Sequence, residues 1–324
     1  MLIVEKFGGS SLAGVERVRC AARIIAETVR AGHPVAAVLS AQGKTTDALL
    51  STAADYSPNP PKRELDMLLA TGEQASVALM AMTLEEMGIP AVSLTGWQAG
   101  VDTDAAHGNA RIRRLSTQRV RRELDEGRVA IIAGFQGVSP ENDITTLGRG
   151  GSDTTAVAVA AALRAGECRI YTDVEGVFTA DPRLVPEARY LPRVDSEEML
   201  RLAALGSQVL HERSAALALR FGVPLRVLSS FTDAPGTVLC PLPLPEDEGR
   251  LTAVTRSASL VSLVGTHLHT FDALPERAIA ALHDAGLAPD AVLLTDGRLT
   301  VQVSESESLA ALRCLHAAFL ENKS

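Results

Sequence analysis

From its first residues the chain alternates short, uniformly apolar runs with segments of helical period, and few folds accommodate that rhythm. LIVEKF is followed by residues 15–32, where Val15, Val18, Ala22, Ile25 and Val29 recur at helical spacing, and then by VAAVLS. That order is a βαβ unit. Further strands are expected at AVSLTG (91–96), VAIIAGF (129–135), RIYTDV (169–174) and LRVLSS (225–230), with helical stretches over 64–88 and 196–222. Strands apolar on both faces and joined by crossover helices pack as a mainly parallel sheet sandwiched by helices, an α/β fold.

PLPLPEDEGR (241–250) breaks the rhythm with three prolines and three acids and reads as a linker. Beyond it the expected order is strand (259–266), helix (274–285), strand (291–295), an Asp296-Gly297 turn, strand (299–304) and helix (308–320), a small α+β unit one strand short. LTAVTRS (251–257) lies upstream and is expected to supply the missing strand.

At 324 residues the chain has length for two domains. A net charge of −8 offers no basic footprint, so neither nucleic acid nor an anionic membrane is an expected partner. Cys20, Cys168, Cys240 and Cys314 are far apart, without CxxC spacing or clustered histidines. No metal ligand set and no disulfide framework is signalled, and a reduced, cytoplasmic protein fits. MLIVEKFGG is strand-like and lacks a signal-peptide pattern, so a soluble, unprocessed chain is expected.

Two glycine-rich turns stand out. KFGGSS (6–11) leaves a strand and enters a helix, so its amides can approach a phosphate while Lys6 supplies positive charge; a tight turn with a solvated lysine is the plainer alternative. SAQGKTTD (40–47) contains a GKT, but the P-loop glycine five positions earlier is Val38, so that reading fails. GRGGSD (148–153) opens an Ala/Val-rich helix expected from Thr154, with Ser152 or Asp153 as its cap. Capping leaves Arg149 unexplained, whereas an arginine beside open glycine amides at a helix N-terminus makes an anion site.

YTDVEGVFTADPR (171–183) reads as a loop with an Asx turn. Glu73, a carboxylate in an apolar helical run, is either an N-terminal cap-region charge or the partner of a cationic ligand group. His107 reads as a turn residue, and RIRR and RVRRE as solvated helix faces.

Taken together and in order, KFGGSSLAGVERV, VLSAQGKTTDALL, ELDMLLATGEQ, VSLTGWQAG, HGNARI, AGFQGV, TTLGRGGSDTTAVA, IYTDVEGVFTADPRLVPEAR and PLRVLSSF resemble the aspartate kinases of the amino acid kinase family over roughly residues 1–240. The C-terminal unit resembles an ACT domain. The resemblance implies a catalytic domain at 1–240, a linker at 241–250 and a single ACT-like regulatory domain at 251–324, where relatives usually carry two ACT units.

It further implies ATP-dependent phosphorylation of the side-chain carboxylate of aspartate, with Mg²⁺, in amino-acid biosynthesis by a homodimer. The alternatives are a kinase for another amino acid carboxylate and a non-catalytic, ACT-bearing regulatory subunit. By resemblance, Lys6 and Asp153 are catalytic, and Lys6, Gly8, Gly9 and Ser10 lie at the phosphates. Arg149 holds a carboxylate of aspartate and Glu73 its ammonium, with Ser40, Thr46, Phe135, Gly150, Gly151 and Ser152 lining the pocket. Thr172, Asp173, Phe178, Asp181 and Arg183 line the nucleotide site. The chain departs from the pattern at Ser10, where many relatives have threonine, at Gln208, where many have lysine, and at Glu212, where proline is usual. With one ACT unit, weak inhibition by lysine and threonine is expected.

Overall fold

A computed structural model describes residues 1–321. The chain forms two compact units, one from Met1–Glu175 with Ala216–Pro235, the other from Gly176–Ala215 with the chain from Gly236 onward. The units therefore do not divide at the proline-rich stretch.

The first unit begins β1 (Ile3–Phe7), α1 (Val15–Arg30), β2 (Val35–Leu39), α2 (Thr45–Tyr56), α3 (Lys62–Glu86) and β3 (Ala91–Leu94). It continues with β4 (Val101–Thr103), β5 (Ile112–Leu115), α4 (Gln118–Asp125), β6 (Val129–Ala133), β7 (Gln136–Val138), β8 (Ile144–Thr146), α5 (Gly151–Leu163) and β9 (Glu167–Thr172). The second unit starts with β10 (Val177–Phe178), β11 (Tyr190–Leu191), β12 (Arg193–Asp195) and α6 (Ser196–Ala204). After α7 (Glu212–Phe221), β13 (Leu225–Ser229) belongs to the first unit. The remaining elements are β14 (Thr237–Cys240), β15 (Arg250–Ser257), β16 (Leu260–Thr266), α8 (Leu274–Asp284), β17 (Ala291–Thr295), β18 (Arg298–Gln302) and α9 (Ser308–Phe319).

In the first unit six strands run parallel in the order β13-β9-β1-β2-β6-β3. All five residues of β1, β2 and β6 are buried, as strands covered on both faces must be. Alternation sorts the side chains between the two layers. Phe7 and the odd-numbered residues of β2 and β6 pack with Val18 and Ile25 of α1 and with Val77, Met80 and Leu84 of α3. Lys6, one residue from Phe7, turns to the other layer and meets α5. A second, four-stranded sheet, β5-β4-β7-β8, completes this unit.

Lys62–Glu86 is the one helix among the described residues long and apolar enough to cross a membrane by length and composition. Here one face of it lies in the core, burying Leu69, Ala70, Val77, Met80 and Leu84 together with Asp66 and Glu73.

In the second unit β15-β16-β18-β17 form an antiparallel sheet under α8 and α9, with Leu263, Val301, Leu282, Leu312 and Leu315 in its core. LTAVTRS pairs along β16 and fills the expected gap. Residues 176–215 join this unit through buried polar contacts. Glu198 of α6 accepts hydrogen bonds from Arg250, Thr252 and Thr266, and Thr179 bonds His316 of α9 at 2.9 Å.

Three local expectations are corrected. Residues 112–114 of RIRR lie in strand β5 and not in a helix, with Arg113 and Arg114 exposed on an edge strand that, among the described residues, pairs only with β4. The stretch 196–222 is two helices, interrupted around Gly206. α5 begins at Gly151, not Thr154, so Ser152 and Asp153 lie inside its first turn, and Gly150 is an N-cap without a side-chain cap bond.

Glu5 lies beside Lys6 on the opposite face, fully buried, and accepts from Thr28 of α1 at 2.7 Å and from Arg169 at 3.4 Å. Its second oxygen has no partner among the described residues. Burial pushes its pKa up to about 7, against the pull of Thr28 and Arg169. A folded pKa above the unfolded value means that the fold favours the protonated form. Stability is therefore greatest below about pH 4.5 from this group and falls as pH rises to about 7. Glu5→Gln is expected to flatten that decline and to raise stability at pH 7.5 by about 1 to 2 kcal/mol, the gain being limited by the weaker bond to Arg169. Urea unfolding of both proteins across that pH range checks this.

Candidate active site

A cavity of about 680 Å³ lies where β1, β2 and β6 end, the edge of a parallel sheet at which ligands bind in open α/β folds. It is lined by Lys6, Gly8, Gly9, Ser40, Thr46, Glu73, Phe135, Arg149, Gly150, Gly151, Ser152 and Asp153, which are brought together from five separate segments.

Lys6 is 8 % exposed, and its ammonium stands 2.5 Å from the Asp153 carboxylate in the first turn of α5. Strand alternation aims Lys6 at α5, and the helix start aims Asp153 back. The pair holds a fixed positive charge at the cavity wall without leaving it buried alone.

Glu73 lies in the middle of α3, well away from the helix N-terminus, which removes the cap reading. One oxygen accepts from the Ala41 amide at 3.0 Å, and the other has no partner among the described residues. Desolvation raises its pKa to about 7, the Ala41 amide pulling only partly back. A sheltered carboxylate with one open oxygen at a cavity wall is a ready partner for an ammonium group.

Arg149 sits between Gly148 (φ +76°) and Gly150 (φ +68°), two left-handed positions that turn the chain sharply from β8 into α5. The arginine is exposed at the cavity and has no hydrogen-bond or ion-pair partner among the described residues. Beside it, the uncapped N-terminus of α5 presents backbone N–H groups and the positive end of a 13-residue helix. Both features favour an anion. Phe135, also left-handed at φ +68°, is held by its amide on Thr155 Oγ1 at 3.2 Å and by its carbonyl under the Leu147 amide at 2.8 Å. A non-glycine residue there costs about 1 to 3 kcal/mol, which the surrounding bonds sustain.

The other predicted residues lie outside the cavity lining. Ser10 opens a short 3₁₀ turn and is exposed. Thr172 ends β9, its hydroxyl donating to Asp173 at 3.1 Å. Phe178, Asp181 and Arg183 belong to the second unit, where Arg183 pairs with Asp181 at 2.8 Å and holds that carboxyl below the usual range.

Asp66 and His107 are among the lining residues that lie outside the predicted set. Asp66, 1 % exposed, accepts from Thr146 Oγ1 at 2.5 Å and from the Gly108 amide, and bonds His107 Nδ1 at 2.9 Å. His107 is thus more than a turn residue. The signal available in the sequence is spacing: Asp66 is seven residues before Glu73, two turns along one face of α3.

This sheet, its helix layers and this charged cavity at the strand ends define a kinase fold, and the chain belongs to the amino acid kinase family, which it matches over residues 1–229. Aspartokinases are among its relatives. It is 56% identical over 238 residues to aspartokinase from Geobacillus stearothermophilus, covering 74% of this chain and 58% of the relative. It is 51% identical over 297 residues to that of Corynebacterium glutamicum, covering 90% and 70%. The chain thus spans less than two thirds of the first of these. Among solved structures, E. coli aspartokinase III in complex with aspartate and ADP superposes with a TM-score of 0.87 at 20% identity, covering 98% of this chain and 99% of that one, which supports the fold.

Proposed function

We propose that the protein transfers the γ-phosphoryl group of ATP to the side-chain carboxylate of L-aspartate, giving 4-phospho-L-aspartate and ADP. The observation that carries this reading is the combination, around one cavity, of an open carboxylate oxygen on Glu73, an unpartnered Arg149 and the Lys6–Asp153 pair. Those groups complement the ammonium, a carboxylate and the transferring phosphoryl group. Its aspartokinase relatives support the choice of substrate.

Aspartate is held by Glu73 and Arg149 so that its side-chain oxygen attacks the γ-phosphorus. The bond from that phosphorus to the β–γ bridging oxygen breaks, and ADP leaves with the electron pair. No general base is needed, because the attacking carboxylate is already ionised at neutral pH. Lys6 and the amides at the α5 N-terminus stabilise charge on the phosphoryl oxygens, while the cavity supplies alignment. Thr172 and Asp173, at the end of β9, serve the nucleotide. When bound with the nucleotide, Mg²⁺ would be held by its phosphates and would neutralise part of their charge.

Residues 251–324 act as a single ACT-like regulatory domain of a cytoplasmic homodimer in amino-acid biosynthesis. The exposed edge strand β17 offers a surface for pairing two copies. The test is Mg²⁺-dependent formation of aspartyl hydroxamate from ATP, aspartate and hydroxylamine. Turnover with another amino acid but not aspartate overturns the substrate, and no turnover with any overturns the activity.

A further inference from the structure

One stripe of α3 carries Arg63, Asp66, Ala70 and Glu73 at spacings of three, four and three residues, which places all four on a single helix face. The first three all engage the segment that leads to Arg149. Arg63 pairs with Asp143 just before β8 at 2.7 Å, and the Ala70 carbonyl accepts from Gln136 of β7 at 2.9 Å. Asp66, between them, is the most heavily bonded. It takes the Thr146 hydroxyl at the end of β8, and with the same carboxylate it takes the Gly108 amide and His107 Nδ1.

The turn it grips presses on the arginine loop. Ala110 N donates to Thr146 O at 2.9 Å, and a Cβ at Gly148 would stand 3.1 Å from Asn109 Oδ1 and 3.2 Å from Gly108 O. Arg149 itself makes no polar contact with a described residue, so its place in the cavity depends on the backbone on either side. We propose that Asp66 is the positioning residue for Arg149, fixing turn 107–109 and the end of β8 so that the guanidinium faces the acid substrate. This rests on the reading of Arg149 as the carboxylate-binding group.

Asp66→Asn preserves shape but replaces one acceptor oxygen by a donor, leaving a buried donor opposite it unpaired. The KM for aspartate is expected to rise roughly tenfold or more, and by a larger factor than kcat falls, since loss of a buried charged acceptor disturbs the loop and not the phosphates. Thr146→Val removes one donor only and is expected to raise the KM severalfold. The decisive measurement is the double variant. Once Arg149→Ala has raised the KM, adding Asp66→Asn should raise it no more than about twofold further, because nothing remains to be positioned.

Full multiplication of the two effects, or an unchanged KM in Asp66→Asn, overturns the proposal and leaves the substrate reading intact. An unchanged KM in Arg149→Ala overturns both. If Asp66→Asn does not fold by circular dichroism, Thr146→Val alone and combined with Arg149→Ala carries the same comparison.

Discussion

Lys6→Ala is expected to lower kcat by roughly 10²- to 10³-fold while changing the KM for aspartate little, the size of loss seen when a preorganised group facing transition-state charge is removed. The side chain is nearly buried, fixed by a strand on one side and by Asp153 on the other, so it meets the phosphoryl group without reorganising. Its removal also leaves Asp153 as a sheltered anion near the phosphates, which adds repulsion to lost attraction. Lys6→Ala combined with Asp153→Ala should therefore recover part of the loss. Steady-state kinetics with ATP and aspartate varied separately check this. A change confined to the KM for ATP would reassign Lys6 to ground-state binding.

The second large effect concerns Glu73 and pH. With its pKa near 7, the free enzyme holds this carboxyl largely protonated below neutrality, and a protonated carboxyl cannot pair with the substrate ammonium. Bound ammonium favours the ionised form, so proton and aspartate compete. The KM for aspartate is expected to rise about tenfold between pH 8 and pH 6, a range in which aspartate itself does not titrate. Glu73→Gln should raise the KM by roughly ten- to a hundredfold at pH 8 and remove its pH dependence, because a charged hydrogen bond of roughly 1.5 to 3 kcal/mol is lost. Retention of the pH dependence in Glu73→Gln would locate the titrating group elsewhere.

The parallel sheet was readable because its central strands are apolar on both faces, a pattern few other structures share. Lys6, Glu73 and Arg149, which line one cavity, stand out in the sequence because each breaks its surroundings: a cation at a strand end, an acid in an apolar helix, an arginine among glycines. Asp66 and His107 break nothing locally. Their significance arises from a contact across 41 positions, which no local pattern encodes. RIRR was misread because a four-residue edge strand with two outward arginines has too little length to separate a period of two from one of 3.6. The start of α5 was misplaced because Ser and Asp are common caps, whereas here the left-handed Gly150 makes the turn and frees Asp153 for Lys6. The division of the chain into units was hidden for a similar reason: Thr179 bonds α9 and Glu198 bonds β15 across 137 and 54 positions.

Glu5 and Lys6 are neighbours in sequence, yet the pleat of β1 sends them into different layers. Robustness and turnover thus have separate addresses one peptide bond apart. A library confined to Glu5, Thr28 and Arg169 can search for heat- and alkali-tolerant forms without touching the reacting groups, and one confined to the α5 side can retune substrate preference without spending thermal resilience. In directed evolution the two searches can run in parallel and their winners be recombined in a single chain.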